Sequence, residues 1–166
     1  MKVASFEAIV HSLNGVGVRF IVVGGLAVNA HGYLRFTNDV DLVIQLSKRE
    51  IVSAFHVLEQ IGYRPSNPVT AEDFADATLR ETWRREKGMQ VLKMWSAAHC
   101  ETPLDIFVYE PFDFEAEYGR ALVREDEIPA RFASIPALIA MKKAADRPQD
   151  RIDIEKLRLL AEIPPE

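Results

Sequence analysis

Residues 20–45 read FIVVGGLAVNAHGYLRFTNDVDLVIQ: an apolar run, a glycine pair, an alanine-rich segment, and a second apolar run that opens on two aspartates. The first run predicts a strand from Arg19 to Val23, which Gly24-Gly25 breaks. Leu26 to Gly32 is rich enough in alanine and other apolar residues to restart as a buried helix. From Asp39 to Gln45 the alternation of a strand returns, with Val40, Leu42 and Ile44 on one face and Asp39, Asp41 and Val43 on the other. At a strand's period of two, both carboxylates leave the same face, roughly 6 to 7 Å apart at Cα.

Outward from this stretch, helices and strands alternate. Upstream, Ser5 is placed to cap a helix with Phe6, Ile9, Val10 and Leu13 on one face, ended by Asn14-Gly15. Downstream, Ser47-Lys48-Arg49-Glu50 reads as a capping box for a helix reaching Ile61, with Ile51, Phe55 and Leu58 at helical spacing. Gly62 to Pro68 reads as a loop. Thr70 with Asp73 starts a short helix that extends to Lys87, where Gly88 stops it. Strands are expected at Gln90–Trp95 and Leu104–Tyr109, a helix at Phe114–Arg120, and short strands and turns from Ala121 to Phe132. Ser134 opens a helix to Ala145, Pro148 interrupts it, and a last helix runs from Gln149 to Leu160, before Pro164-Pro165. The expected fold is α/β: a mixed β-sheet with flanking helices and C-terminal helices, in one domain over residues 1–166.

Composition excludes several classes. At 166 residues, 48% apolar and 27% charged, the chain has ordinary globular usage, and a domain of this size removes roughly two thirds of its unfolded surface from water. Phe20 to Val23 is far too short to cross a bilayer, no secretory signal opens the chain, and a cytoplasmic protein without a membrane partner is expected. Cys100 has no partner cysteine and reads as a small packing residue. A net charge of −5 argues against wholesale wrapping of nucleic acid. Arg80, Arg84, Arg85 and Lys87 are spaced to share a helical face, as a solvated surface or a local polyanion contact.

The chemistry centres on Asp39-Val40-Asp41. Oxygen-only ligands suit a hard cation such as Mg²⁺, and no Cys or His cluster has zinc spacing. Alone, an Asp-x-Asp is equally a pair of solvated strand-end acids. Gly24-Gly25 adds a turn where backbone N–H groups at a helix start can face phosphate, although such glycines also make ordinary tight turns. Neither a P-loop ending nor a three-glycine dinucleotide fingerprint is present.

Val22-Val23-Gly24-Gly25, then His31-Gly32, Arg35, Thr37 and Asp39-Val40-Asp41-Leu42, resembles in order and spacing the signature of the nucleotidyltransferase superfamily, the DNA polymerase β-like fold. With Gly-Gly in place of Gly-Ser and an Arg-x-Thr-x-Asp-x-Asp run, it is similar to the bacterial branch containing abortive-infection and toxin–antitoxin nucleotidyltransferases. The resemblance implies that Gly24 and Gly25 hold a triphosphate and that Asp39 and Asp41 bind metal. It also implies a third carboxylate on a later strand, and Asp105 in Pro103-Leu104-Asp105-Ile106-Phe107-Val108 is the match; Glu101 and Asp113 are weaker substitutes. Met141-Lys142-Lys143 through Asp153 is similar to a Lys, Arg and Asp helical segment of the same branch, so Lys142 could meet phosphate, while Arg147, Asp150 and Asp153 also read as a helix-junction charge network. Arg35 and Thr37 are nucleotide-binding candidates or turn stabilisers.

The implied activity is transfer of a nucleoside monophosphate from an NTP to a hydroxyl of RNA, protein or a small molecule, with two Mg²⁺ ions held by Asp39, Asp41 and Asp105. A protein partner or a homodimer is possible in a toxin–antitoxin or defence setting. His31 reads as a packing or hydrogen-bonding residue, and Trp83 and Trp95 as core residues, with base stacking by either or by Tyr33 as the other reading. Two alternatives stand beside this one: an inactive nucleotide-binding or protein-interaction module of the same fold, and a dehalogenase-type phosphatase with Asp39 as nucleophile. The middle segment, residues 64–98, carries no recognised motif and is the expected place for acceptor specificity.

Overall fold

A computed structural model describes residues 1–125 and 128–164. In chain order the elements are α1 (Val3–Gly15), β1 (Phe20–Val23), α2 (Gly24–Ala30), β2 (Val40–Ile44), α3 (Lys48–Gln60), β3 (Arg64–Pro65), α4 (Ala71–Ala75), α5 (Ala77–Lys87), β4 (Val91–Trp95), β5 (Leu104–Phe107), α6 (Phe114–Arg120), β6 (Leu122–Arg124), β7 (Ala130–Phe132), α7 (Ile135–Ala145) and α8 (Pro148–Leu160). The strands form one sheet in the order β3-β4-β5-β2-β1-β7-β6. It is mixed, as expected: β2 runs antiparallel to β1 and parallel to β5, while β1 is parallel to β7.

Alternation along the central strands divides the sheet's faces. Val40, Leu42, Ile44, Leu104, Ile106 and Leu92 are fully buried, each removal from water stabilising by about 1.5–3 kcal/mol. They belong to one continuous cluster that also takes Phe6, Ile9, Val10 and Leu13 from α1, and Ile51, Phe55 and Leu58 from α3. No helix among the described residues is long and apolar enough to cross a membrane.

Several boundaries differ from expectation, some because a tertiary partner wins over a local one and others because a local cap or turn sets the end. Ser5 lies inside α1, not at its cap, because its hydroxyl is taken by His99 Nδ1 at 2.9 Å. Helix α2 begins at Gly24 directly off β1 and ends at Ala30, so Gly24 carries the turn itself with a φ of +65°. Ser47 accepts from the Glu50 amide, but the Glu50 carboxylate turns away from its own helix to take the Arg19 amide at 2.9 Å. The helix expected from Thr70 to Lys87 breaks at Asp76, whose extended backbone and side chain cap α5 through Thr78 and Leu79. The expected loop at residues 62–68 contains β3, which pairs with β4. Pro148 starts α8 instead of interrupting a helix, after a left-handed Asp146. Of the expected turns at residues 121–132, positions 126 and 127 lie outside the described residues, as does Pro165 of the expected Pro-Pro terminus.

The phosphatase reading does not survive this topology, since it needs the Asp-x-Asp on a first strand, and here the motif is carried by β2, antiparallel to a preceding β1.

Candidate active site

The parallel pairing of β2 with β5 sets Asp41 in register with Asp105, 64 positions later in the chain, and Asp39 stands just ahead of β2. Each of the three acids contributes a carboxylate oxygen to a group lying within 4.8 Å of one another. Glu101 and Asp113 are elsewhere: Glu101 pairs with Lys2, and Asp113 caps α6 through the Ala116 amide.

Gly24 makes this convergence possible. A Cβ at that position would lie 2.0 Å from Asp41 Oδ2, so the Asp41 carboxylate occupies the volume that any side chain there would need. Gly25 does the same for the approach to β2, where a Cβ would lie 2.7 Å from Thr37 Oγ1 and 3.1 Å from Arg35 Nη2. The turn is capped by Val23, which contributes no side-chain hydrogen bond to the amides of the first turn of α2.

Electrostatics mark the cluster as short of positive charge. Burial, reinforced by the neighbouring carboxylates of Asp39 and Asp105, pushes Asp41 up to about 7, against the opposing fields of Arg147 and Lys142. Burial also raises Asp105, with Lys93 opposing and Asp39 adding to the shift. Three convergent oxygen donors carrying this mutual repulsion fit a hard divalent cation, which would relieve it.

The cationic side of the site is a buried network. Lys142 of α7 lies 2.6 Å from Asp153 Oδ2 and 3.3 Å from Asp150 Oδ1, with only 6% of its side chain exposed. Asp153 also accepts from Arg35 Nη2 at 2.9 Å and from Gln149 at 3.0 Å. Burial works against both carboxylates, yet Arg147 hydrogen bonds hold Asp150 below its ordinary range, and bonds from Lys142 and Gln149 do so for Asp153. Arg147, on the α7–α8 junction, grips Asp150 through Nε at 2.8 Å and Nη2 at 3.2 Å. The charge-network reading of Arg147, Asp150 and Asp153 therefore describes what forms, and Lys142 sits inside that network, paired instead of free.

Asn29 of α2 escaped sequence reading. Its amide brackets the Arg35 backbone, accepting from Arg35 N at 3.0 Å and donating to Arg35 O at 2.9 Å. A polar residue in an otherwise apolar helix was the available signal. Thr37 Oγ1 faces the Asp39 carbonyl at 3.5 Å. His31 packs as expected, its Nε2 2.8 Å from Ala133 O.

Other expectations change. Trp83 is buried, but Trp95 is 52% exposed, since it falls on the outward parity of β4. Tyr33 packs half-buried against the core. The basic helical face does not exist as one: Arg80 is buried and donates to Phe74 O, while the Arg84 guanidinium sits 3.8 Å over the Tyr109 ring. Cys100 is exposed in the connection between β4 and β5, not packed.

No protein-family profile matches the chain. No curated protein matches it in sequence. Solved structures do: the crystal structure of the aminoglycoside nucleotidyltransferase ANT(2″)-Ia in complex with adenylyl-2″-tobramycin aligns over 95% of this chain and 92% of that one, with a TM-score of 0.57 at 15% identity. The solution structure of the antibiotic-resistance factor ANT(2″)-Ia aligns over 96% and 84%, with a TM-score of 0.55 at 16% identity. At that identity the likeness is one of fold, and the fold is nucleotidyltransferase-like.

Proposed function

We propose that this chain is a nucleotidyltransferase that moves a nucleoside monophosphate from an NTP to a hydroxyl acceptor, with two Mg²⁺ ions held by Asp39, Asp41 and Asp105. The observation that carries this reading is the convergence of those three acids within 4.8 Å, on strands whose register aligns two of them, beside a Gly24 that leaves Asp41 its space. Bound there, divalent cations would supply activation of an acceptor hydroxyl and neutralisation of the leaving pyrophosphate.

The chain's own residues do the rest. Gly24 and Gly25 let backbone approach the triphosphate closely. Lys142 and Arg147, whose fields already reach Asp41, supply positive potential on the nucleotide side. Arg35, fixed by Asn29 and Asp153, and Thr37, seated against Gly25, hold the approach to β2 so that Asp39 and Asp41 enter the site at a set position. Asp105 stands on the hydroxyl side, where Lys93 faces it at 3.9 Å. Phosphoryl chemistry needs chiefly such positioning and charge compensation.

The fold likeness to a protein crystallised with an adenylylated antibiotic supports a hydroxyl as acceptor. The retention of all three acids favours an active enzyme over an inactive module. Placement in the abortive-infection and toxin–antitoxin branch, and with it a protein partner or homodimer, rests on the resemblance of the Gly24-to-Asp41 run and the Met141-to-Asp153 segment, and a cytoplasmic setting on apolar runs too short to cross a bilayer.

Incubation with each α-labelled NTP, with and without Mg²⁺, tests the proposal. Label transfer is expected from the wild type with Mg²⁺ and not from Asp41→Asn. Wild type that transfers no label from any NTP under any condition would establish the nucleotide-binding-module reading instead.

A further inference from the structure

The face of the sheet that carries the acids continues past Asp105. Pairing of β4 with β5 sets Lys93 opposite Asp105, and pairing of β3 with β4 sets Arg64 opposite Trp95. Directly opposed residues share a face, as do residues two apart on a strand. Lys93, Trp95 and Arg64 therefore stand on the face of Asp41 and Asp105, while Leu92 and Met94 point the other way, into the core. The 3.9 Å separation of Lys93 Nζ from Asp105 Oδ2 agrees.

This part of the face is open. The Lys93 and Arg64 side chains are 72% and 68% exposed and Trp95 is 52% exposed, whereas Lys142 across the site is 6% exposed. From the acids outward the surface reads cation, indole, cation, with Glu59 as the acid paired to Arg64. Each cation faces one carboxylate, Lys93 that of Asp105 and Arg64 that of Glu59, and at this exposure either can exchange it for a phosphate. From strand spacing the shelf spans roughly 10–12 Å, room for about three nucleotides at ~3.4 Å per stacked step.

Charge and shape discriminate among acceptors. A polycationic antibiotic offers no flat ring for Trp95 to stack on, and its ammonium groups find partners among the acids but none in Lys93 or Arg64. A single strand of nucleic acid offers phosphates to the two cations and base faces to the indole, the combination that proteins use to hold single strands. We propose that Lys93, Trp95 and Arg64 form the acceptor platform of this enzyme, and that the acceptor is the 3′ end of a single-stranded nucleic acid whose terminal bases stack on Trp95. This rests on the nucleotidyl-transfer reading above. In the step it serves, the 3′ oxygen bonds to the α-phosphorus as the α–β phosphoanhydride bond breaks. Pyrophosphate departs with the electron pair, and the hydroxyl proton passes to solvent.

The test is fluorescence anisotropy of 5′-fluorescein 12-mers, RNA and DNA in separate arms, at low salt, with tobramycin as competitor, alongside the labelling assay. Wild type binds a single strand; Trp95→Ala and Lys93→Glu each weaken binding by roughly ten-fold or more with unchanged melting temperature; Asp41→Asn still binds but transfers no label. The arm with the tighter binding identifies RNA or DNA as the source. Absence of single-strand binding by wild type, binding indifferent to both platform variants, or displacement by equimolar tobramycin overturns the proposal. Label transferred without strand binding overturns the platform and leaves nucleotidyl transfer standing. Strand binding that depends on Trp95 and Lys93 without any label supports the platform and removes the transfer reading.

Discussion

The two flanks of the acid cluster are built on opposite principles. Toward α7 and α8, Lys142, Asp150 and Asp153 are buried and interlocked, with Asp153 alone serving Lys142, Arg35 and Gln149. Toward β4 and β3, Lys93, Trp95 and Arg64 stand in solvent with few constraints. Buried charges are tolerated only when every partner is present, so the first flank holds one geometry and resists change. Exposed cations cost nothing to leave unpaired, so the second can exchange what it holds. The difference assigns a preorganised flank to the part of the chemistry that is always the same and an open flank to the part that comes and goes.

Perturbing each flank in turn tests that contrast. The largest effect is expected at Asp153. Truncation to Ala leaves Lys142 and Arg35 short of their shared carboxylate and costs about 3–5 kcal/mol, a fall in melting temperature of roughly 10 °C for a chain of this size. A melt unchanged by that substitution would erase the distinction between flanks. At the seam, Asp41→Asn takes label transfer below detection, a loss of at least about 10²–10³-fold, as expected for loss of one element of transition-state charge compensation.

Asp41 also sets the pH behaviour. Its carboxyl is raised from 3.8 to about 7 in the folded chain, so between those values the native state holds a proton that the unfolded state has lost. Metal-free stability therefore is highest below about pH 4 with respect to this group and falls as pH rises toward 7, by at most about 1.4 kcal/mol per unit. Denaturant titrations across that window check the slope. Asp41→Asn flattens it, and Mg²⁺ restores stability at the upper end. The smallest effect belongs to the open flank, where Lys93→Ala shifts stability by no more than about 0.5 kcal/mol. A larger shift in the same titration would show that this flank is structural as well.

Asp39 and Asp41 were legible in sequence because they obey a local rule: a period of two puts them on one face whatever else the chain does. Asp105 was marked only by the resemblance to the nucleotidyltransferase signature, and its register with Asp41 exists only once β5 has paired with β2. Gly24 was legible as a break, but the reason for glycine, the 2.0 Å approach of Asp41 Oδ2, exists only once β2 has paired with β1. Lys142 and the following acids were recognisable as a charged segment, but the Arg35 partnership across 118 positions leaves no local trace. Glu50 and Ser5 were misread for the same reason: each satisfies a near neighbour on paper and a distant one in space. Residue type alone reads Trp95 as core, whereas the parity of β4, with Leu92 and Met94 buried on either side of Lys93, places it outward.

The bond between Arg35 and Asp153 links the loop ahead of the acidic strand to the last helix. Closing so long a loop carries an entropic cost that nearer contacts avoid, so it forms after them. Undocking the last helix would release the loop ahead of the acidic strand while the pairing of β2 with β1 and β5 stayed in place.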